Sequence, residues 1–231
     1  LFTGQELCKF EAHEVVALLK AREISSSDLI DAALTRIAQT GPLINATPTL
    51  CEAQARAVDL SSRDSTPAGW LAGLPITIKD LNAVANVRTT FGTKGLAGFI
   101  PQKSDPLVDQ LEQRGAVILG KTNTPEFGAG GNTFNDVFGQ TRNPWNTALN
   151  PGGSSGGAAA SLAAGEIWLS HGSDHGGSLR TPAAYCGIVG LRPSPGIAGG
   201  PGQDAAFIIE GVQGPMARSV RDCALFLDAM S

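Results

Sequence analysis

The chain has 231 residues, 42% hydrophobic and 16% charged, with a formal net charge of −4. That balance suits a packed core and excludes disorder from low hydrophobicity, while the mild acidity argues against a nucleic-acid surface. No apolar run approaches the roughly 20 residues needed to span a bilayer, and the four cysteines, Cys8, Cys51, Cys186 and Cys223, lie far apart without metal-ligand spacing and read as reduced, buried thiols.

In chain order, residues 12–22 place Val15, Val16, Leu18 and Leu19 at helical spacing. Residues 27–39 predict a second helix, with Leu29, Ile30, Ala33, Leu34 and Ile37 inward and Asp28 in the first turn, where a negative charge suits the helix dipole. Gly41-Pro42 is expected to end it. Residues 50–60 read as a third helix and 61–69 as a polar loop. Then the pattern changes. Residues 74–80 (LPITIKD) alternate and read as a strand. A helix near 106–114 leads into the apolar run 116–120, and strand–helix–strand order argues for a βαβ unit. Residues 158–164 predict a small-residue helix, 167–170 and 187–191 buried strands, and 219–230 an amphipathic C-terminal helix. The fold class is α/β, with a mixed, partly parallel central sheet covered by helices on both faces. No signal-peptide pattern precedes the first helix, so the cytoplasm is the expected compartment. Leu1 is not an initiator Met, which leaves N-terminal processing open.

Glycine is concentrated: 8 of the 29 lie in residues 1–119 and 21 in residues 120–214. Glycine serves where φ must be positive or where a ligand approaches the backbone closely. Residues 120–214 therefore read as a region where backbone amides build a site.

Three groups could carry chemistry. Gly152-Gly153-Ser154-Ser155-Gly156-Gly157 satisfies G-x-S-x-G twice, through Ser154 and through Ser155. A Ser-His-Asp elbow needs a later histidine, with a carboxylate between. His13 precedes the serines, and His171 and His175 follow too closely. His171 and His175 with Asp174 could hold a metal on a helix, but three glycines in eight residues argue against one, and no metal is expected. Lys79 lies in an apolar strand. It is either a strand-end lysine reaching water or a desolvated lysine with a lowered pKa. A serine nucleophile needs a base, and lysine is a known alternative to histidine. His175-Gly176-Gly177 before Ser178 offers unhindered N–H groups for an oxyanion.

These residues resemble the amidase signature family of serine hydrolases, and the match covers nearly the whole chain. The core is PGGSSGGAAASLAAG (151–165) followed by GSDHGGSLRTPAAYCGIVGLRPS (172–194). GLPITIKD (73–80), GAVILGKTNTPEFG (115–128), FGQTRNPWN (138–146) and VQGPMARSVRDCALFLDAM (212–230) support it. The resemblance implies a Ser–cis-Ser–Lys triad. Ser178 matches the nucleophile, Ser154 the bridging serine after a cis peptide, and Lys79 the base. The backbone amides of His175, Gly176, Gly177 and Ser178 would form the oxyanion hole. Asp174 and Arg180 match positions that brace this loop, and Ser155 is a polar neighbour. Gly128, Ala129, Gly130, Gly131 and Asn132 resemble a stretch that lines the substrate pocket. The implied reaction hydrolyses a carboxylic amide, carbamate or ester through an acyl-enzyme, without a cofactor.

Two departures stand out. His175 occupies a position where the family usually carries a small or aliphatic residue. Family members are also about twice as long, so residues 1–65 are expected to form a helical arm and 66–231 the N-terminal part of the family domain, with the remainder absent. The expected partners are a small-molecule amide and that C-terminal half, with a homodimer left open and neither nucleic acid nor membrane. Two other readings compete with an amidohydrolase. One is the amidase (glutaminase) subunit of a tRNA-dependent amidotransferase, and the other is a non-catalytic relative.

Overall fold

A computed structural model of the chain describes residues 6–61, 67–199 and 210–231. It opens with helices α1 (Glu6–Lys9), α2 (Ala12–Ala21) and α3 (Ser26–Ile44). Ser25 caps α3 by accepting from the Asp28 N–H while the Asp28 carboxylate accepts from the Ser25 N–H. This reciprocal box satisfies two orphan donors at the helix start.

The expected stop at Gly41-Pro42 is wrong: α3 continues to Ile44, with Pro42 inside it. A proline this close to the C-terminus removes one ladder bond. Ile44, buried against Ala46, Ala160 and Ala164, holds the last turn in place. The expected helix over 50–60 also differs. Residues Thr49–Leu50 form strand β1, and only Glu52–Arg56 is helical, as α4. Cross-strand pairing with Lys121 and Gly120 overrides the helical pattern there. The loop expected over 61–69 lies partly, and the boundary at 65–66 wholly, outside the described residues.

The βαβ unit is present: β2 (Pro75–Lys79), α5 (Pro106–Gln113) and β3 (Val117–Thr122), with the two strands parallel. Next come the short β4 (Phe134–Asn135) and β5 (Gly139–Gln140), α6 (Gly156–Ala163), β6 (Leu169–Asp174) and α7 (Arg180–Cys186). The chain finishes with β7 (Val189–Gly190), β8 (Val212–Ala217) and α8 (Val220–Met230). The main sheet runs β1-β3-β2-β6-β8-β7. β2 is parallel to β3 and β6, whereas β1, β8 and β7 add antiparallel edges. The sheet is therefore mixed, as expected. Every residue of β2 and β3 is buried, which requires cover on both faces. β8 was not anticipated, because Gly214 and Pro215 mask its strand character.

The N-terminal helices share one apolar cluster with the sheet. Buried Asp222 at the start of α8 accepts from the Ala12 and His13 N–H groups at 2.8 and 2.9 Å, and Arg218 donates to the carbonyls of Cys8 and Phe10. All four cysteines are free and buried, so each reads as core. Among the described residues no helix is long and apolar enough to cross a membrane.

Candidate active site

Parallel strands end where ligands bind in open α/β sheets. Lys79 is the last residue of β2, Thr122 the last of β3, and β6 delivers Asp174 and the turn 175–178 beside them. The turn 151–155, leading into α6, arrives at the same end. Its Gly153–Ser154 peptide is cis. Gly153 is required by space, since a Cβ there would stand 2.8 Å from the Asn132 nitrogen. Thr133 clamps the turn: its hydroxyl donates to the Gly152 carbonyl at 2.9 Å and accepts from the Gly156 N–H at 3.1 Å.

Lys79 is completely buried, and its Nζ donates to Ser154 Oγ at 2.7 Å and to Ser173 Oγ at 3.0 Å. Among the described residues no carboxylate forms an ion pair with it. Burial pushes its pKa from 10.5 down to about 7, with the Asp174 charge opposing. Ser154 is buried in turn. Ser178 is half-buried, and its carbonyl accepts from the Ser155 N–H at 3.2 Å, which ties the nucleophile candidate to the cis turn. The Ser155 hydroxyl donates to the Ser173 carbonyl and accepts from the Ser173 N–H.

Asp174 organises the next turn. Burial alone would raise its pKa, but the Arg180 guanidinium and the N–H groups of Leu179 and Gly177 outweigh that and hold it well below the usual carboxylate range. Arg180 binds both carboxylate oxygens at 3.0 Å, and Arg192 adds a contact at 3.1 Å. The Gly177 N–H is therefore already given to Asp174 at 2.8 Å. No such bond is made by the N–H groups of His175, Gly176 and Ser178 among the described residues. The His175 side chain is exposed. His171 is buried beside the Lys79 backbone, whose N–H its Nδ1 accepts at 3.4 Å, with Nε2 2.5 Å from Gln213 Oε1; burial pushes its pKa down to about 3, so it is neutral. The two histidines do not converge on a metal site.

Residues 128–132 border the cis turn. Gly128 has φ +71°, and a Cβ on it would lie 3.6 Å from Ser154 Oγ and 2.6 Å from Leu81 Cδ1. A cleft of about 380 Å³ opens beside Ala129, Gly130, Gly131, Asn132 and Phe134. Sequence reasoning missed Ser173, Thr133 and Arg192. Only Ser173 left a signal, two residues beyond His171 in a strand of period two.

One other group among the described residues gathers ligand-type side chains: Glu11, His13 and Asp222, within 4.8 Å of one another. Asp222 already accepts two backbone N–H groups, and the cluster sits at the N-termini of α2 and α8, whose dipoles disfavour a cation.

Comparison with known proteins agrees with this architecture. The model of the Amidase family matches residues 28–231. A glutamyl-tRNA(Gln) amidotransferase subunit of Carboxydothermus hydrogenoformans is 43% identical over 230 residues, 98% of this chain and 47% of that protein. Among solved structures, a 6-aminohexanoate cyclic dimer hydrolase superposes with TM-score 0.87 at 35% identity, over 97% of this chain and 47% of the other. A bacterial aryl acylamidase of the amidase signature family gives TM-score 0.87 at 35% identity, over 96% and 47%. The fold is that of the amidase signature enzymes. The chain belongs to that family. It spans about half the length of the curated relatives it matches.

Proposed function

We propose that this chain carries the catalytic residues of a serine amidohydrolase, which cleaves a carboxylic amide C–N bond through an acyl-enzyme on Ser178. The observation that supports this most directly is the 2.7 Å contact between fully buried Lys79 and Ser154. An amine with a pKa of about 7 is half neutral at physiological pH, and a base tuned to working pH is the most effective one. In the proposed cycle, neutral Lys79 takes the proton of Ser154 as Ser154 takes that of Ser178. Ser178 Oγ bonds to the carbonyl carbon, and the oxyanion is met by the N–H groups of His175, Gly176 and Ser178. The proton returns through Ser154 to the leaving nitrogen, the C–N bond breaks, and a neutral amine departs. Water then hydrolyses the ester by the same relay. Residues 128–132 would face the substrate, and esters and carbamates would follow the same path. No cofactor is needed.

A second reading is favoured by the glutamyl-tRNA(Gln) amidotransferase subunits among the sequence relatives. There the same chemistry would release ammonia from glutamine for a partner protein. Incubation with a sulfonyl fluoride, intact mass and peptide mapping test the shared core: one adduct on Ser178, absent from Lys79→Ala, is expected. An unlabelled Ser178 in folded protein would favour a non-catalytic relative. Ammonia release from glutamine that rises when a partner protein is added would select the second reading, and turnover of simple amides without a partner the first.

A further inference from the structure

We infer that Ser173 is a positioning residue that aims the lone pair of Lys79 at Ser154. The inference rests on the reading of Lys79 as the base. A neutral amine has two N–H groups and one lone pair, and it rotates freely about its last carbon–nitrogen bond unless a partner stops it. The lone pair is useful only when it faces the Ser154 hydroxyl. Lys79 Nζ has two hydroxyl neighbours, Ser154 Oγ at 2.7 Å and Ser173 Oγ at 3.0 Å. If Ser173 accepts one N–H, rotation is fixed and the lone pair is left for Ser154. If Lys79 is protonated, Ser173 accepts from the ammonium instead. It thus holds the nitrogen in place through both halves of the proton cycle.

The surroundings keep Ser173 itself in register. It lies in β6 opposite Gln213 of β8, and its N–H and carbonyl both meet the Ser155 hydroxyl. That hydroxyl stands directly after the cis turn, so the strand bearing Ser173 and the turn bearing Ser154 are fastened together. The titratable groups around Lys79 are few. Asp174 and neutral His171 come from β6, Asp80 follows β2, and Lys121 comes from β3. Residues 156–163 of α6 and 212–217 of β8 carry none. Removing one hydroxyl therefore changes the field at Nζ without changing its charged neighbours.

The test follows the rate of sulfonyl fluoride labelling of Ser178 from pH 5 to 9. Ser173→Ala removes an acceptor from the ammonium, so the acid limb is expected to move down by about one pH unit. The plateau should fall about tenfold, because the lone pair is no longer aimed. Ser173→Thr keeps a hydroxyl and is expected to return the limb to its native midpoint. A native limb and plateau in Ser173→Ala would overturn the inference, as would equal shifts in both variants, which would make the role one of packing. Labelling that is indifferent to Lys79→Ala would instead overturn the active-site reading on which it rests.

Discussion

Lys79 and Lys121 end up on neighbouring parallel strands, both fully buried, yet they face different chemistry. Lys121 Nζ meets the Asp80 carboxylate at 3.1 Å, the Asn82 carbonyl at 2.7 Å and the Thr89 hydroxyl at 2.9 Å. Asp80 in turn takes the Thr90 N–H and hydroxyl, so the pair is saturated. Burial lowers the pKa of Lys121 as well, but a carboxylate in contact opposes it. Lys79 has hydroxyls only. The comparison teaches that depth alone does not make a base: a buried lysine with a counterion is a strut, and one with neutral partners can trade its proton.

Exchanging each lysine for methionine should split activity from stability. Lys79→Met is expected to lose about 10²–10⁴-fold in kcat/KM at pH 7 while Tm holds or rises, because a poorly compensated amine is replaced by an apolar chain. Lys121→Met leaves Asp80 buried and unpaired. Urea unfolding should show a loss of about 3–5 kcal/mol. Equal stability losses in the two variants would erase the contrast.

Titration sharpens it. The kcat/KM profile should fall about tenfold per pH unit below about 7, as Lys79 takes up its proton. The same shift has a sign for stability. The folded pKa, about 7, lies below the unfolded 10.5, so the unfolded chain binds more protons between those values. The Lys79 contribution to stability therefore rises with pH from 7 to 10.5, and its penalty is complete below 7. Lys79→Met should flatten that part of the profile, measured by unfolding at fixed temperature.

The smallest effect expected is at Gly128. An alanine there must hold φ +71°, a cost of roughly 1–2 kcal/mol, and press on Leu81. Because the same Cβ faces Ser154 Oγ, kcat/KM should fall about tenfold. Gly98→Ala, with open space around it, is the control and should match the native Tm and rate.

Much of the architecture was legible because it is local. The alternation before Lys79, the helix from Pro106 and the apolar run from Val117 each carry their period within a few residues, and together they announced a βαβ unit. The family was legible as well, through long motifs whose resemblance the family match over residues 28–231 bears out. Other features depend on partners remote in the chain. Leu50 is strand rather than helix because Gly120 lies opposite it, and α3 runs past Pro42 because Ile44 has a cluster to enter. The site shows the same division. The residue types that could perform acyl transfer were determined by the sequence. Which hydroxyls Lys79 meets, that the Gly177 amide is taken by Asp174, and that Asp80 belongs to Lys121 were decided by tertiary structure alone. The physical reason is range: a period acts over one or two turns, whereas Lys79 and Ser154 are 75 residues apart and meet only when the sheet and the cis turn are both in place.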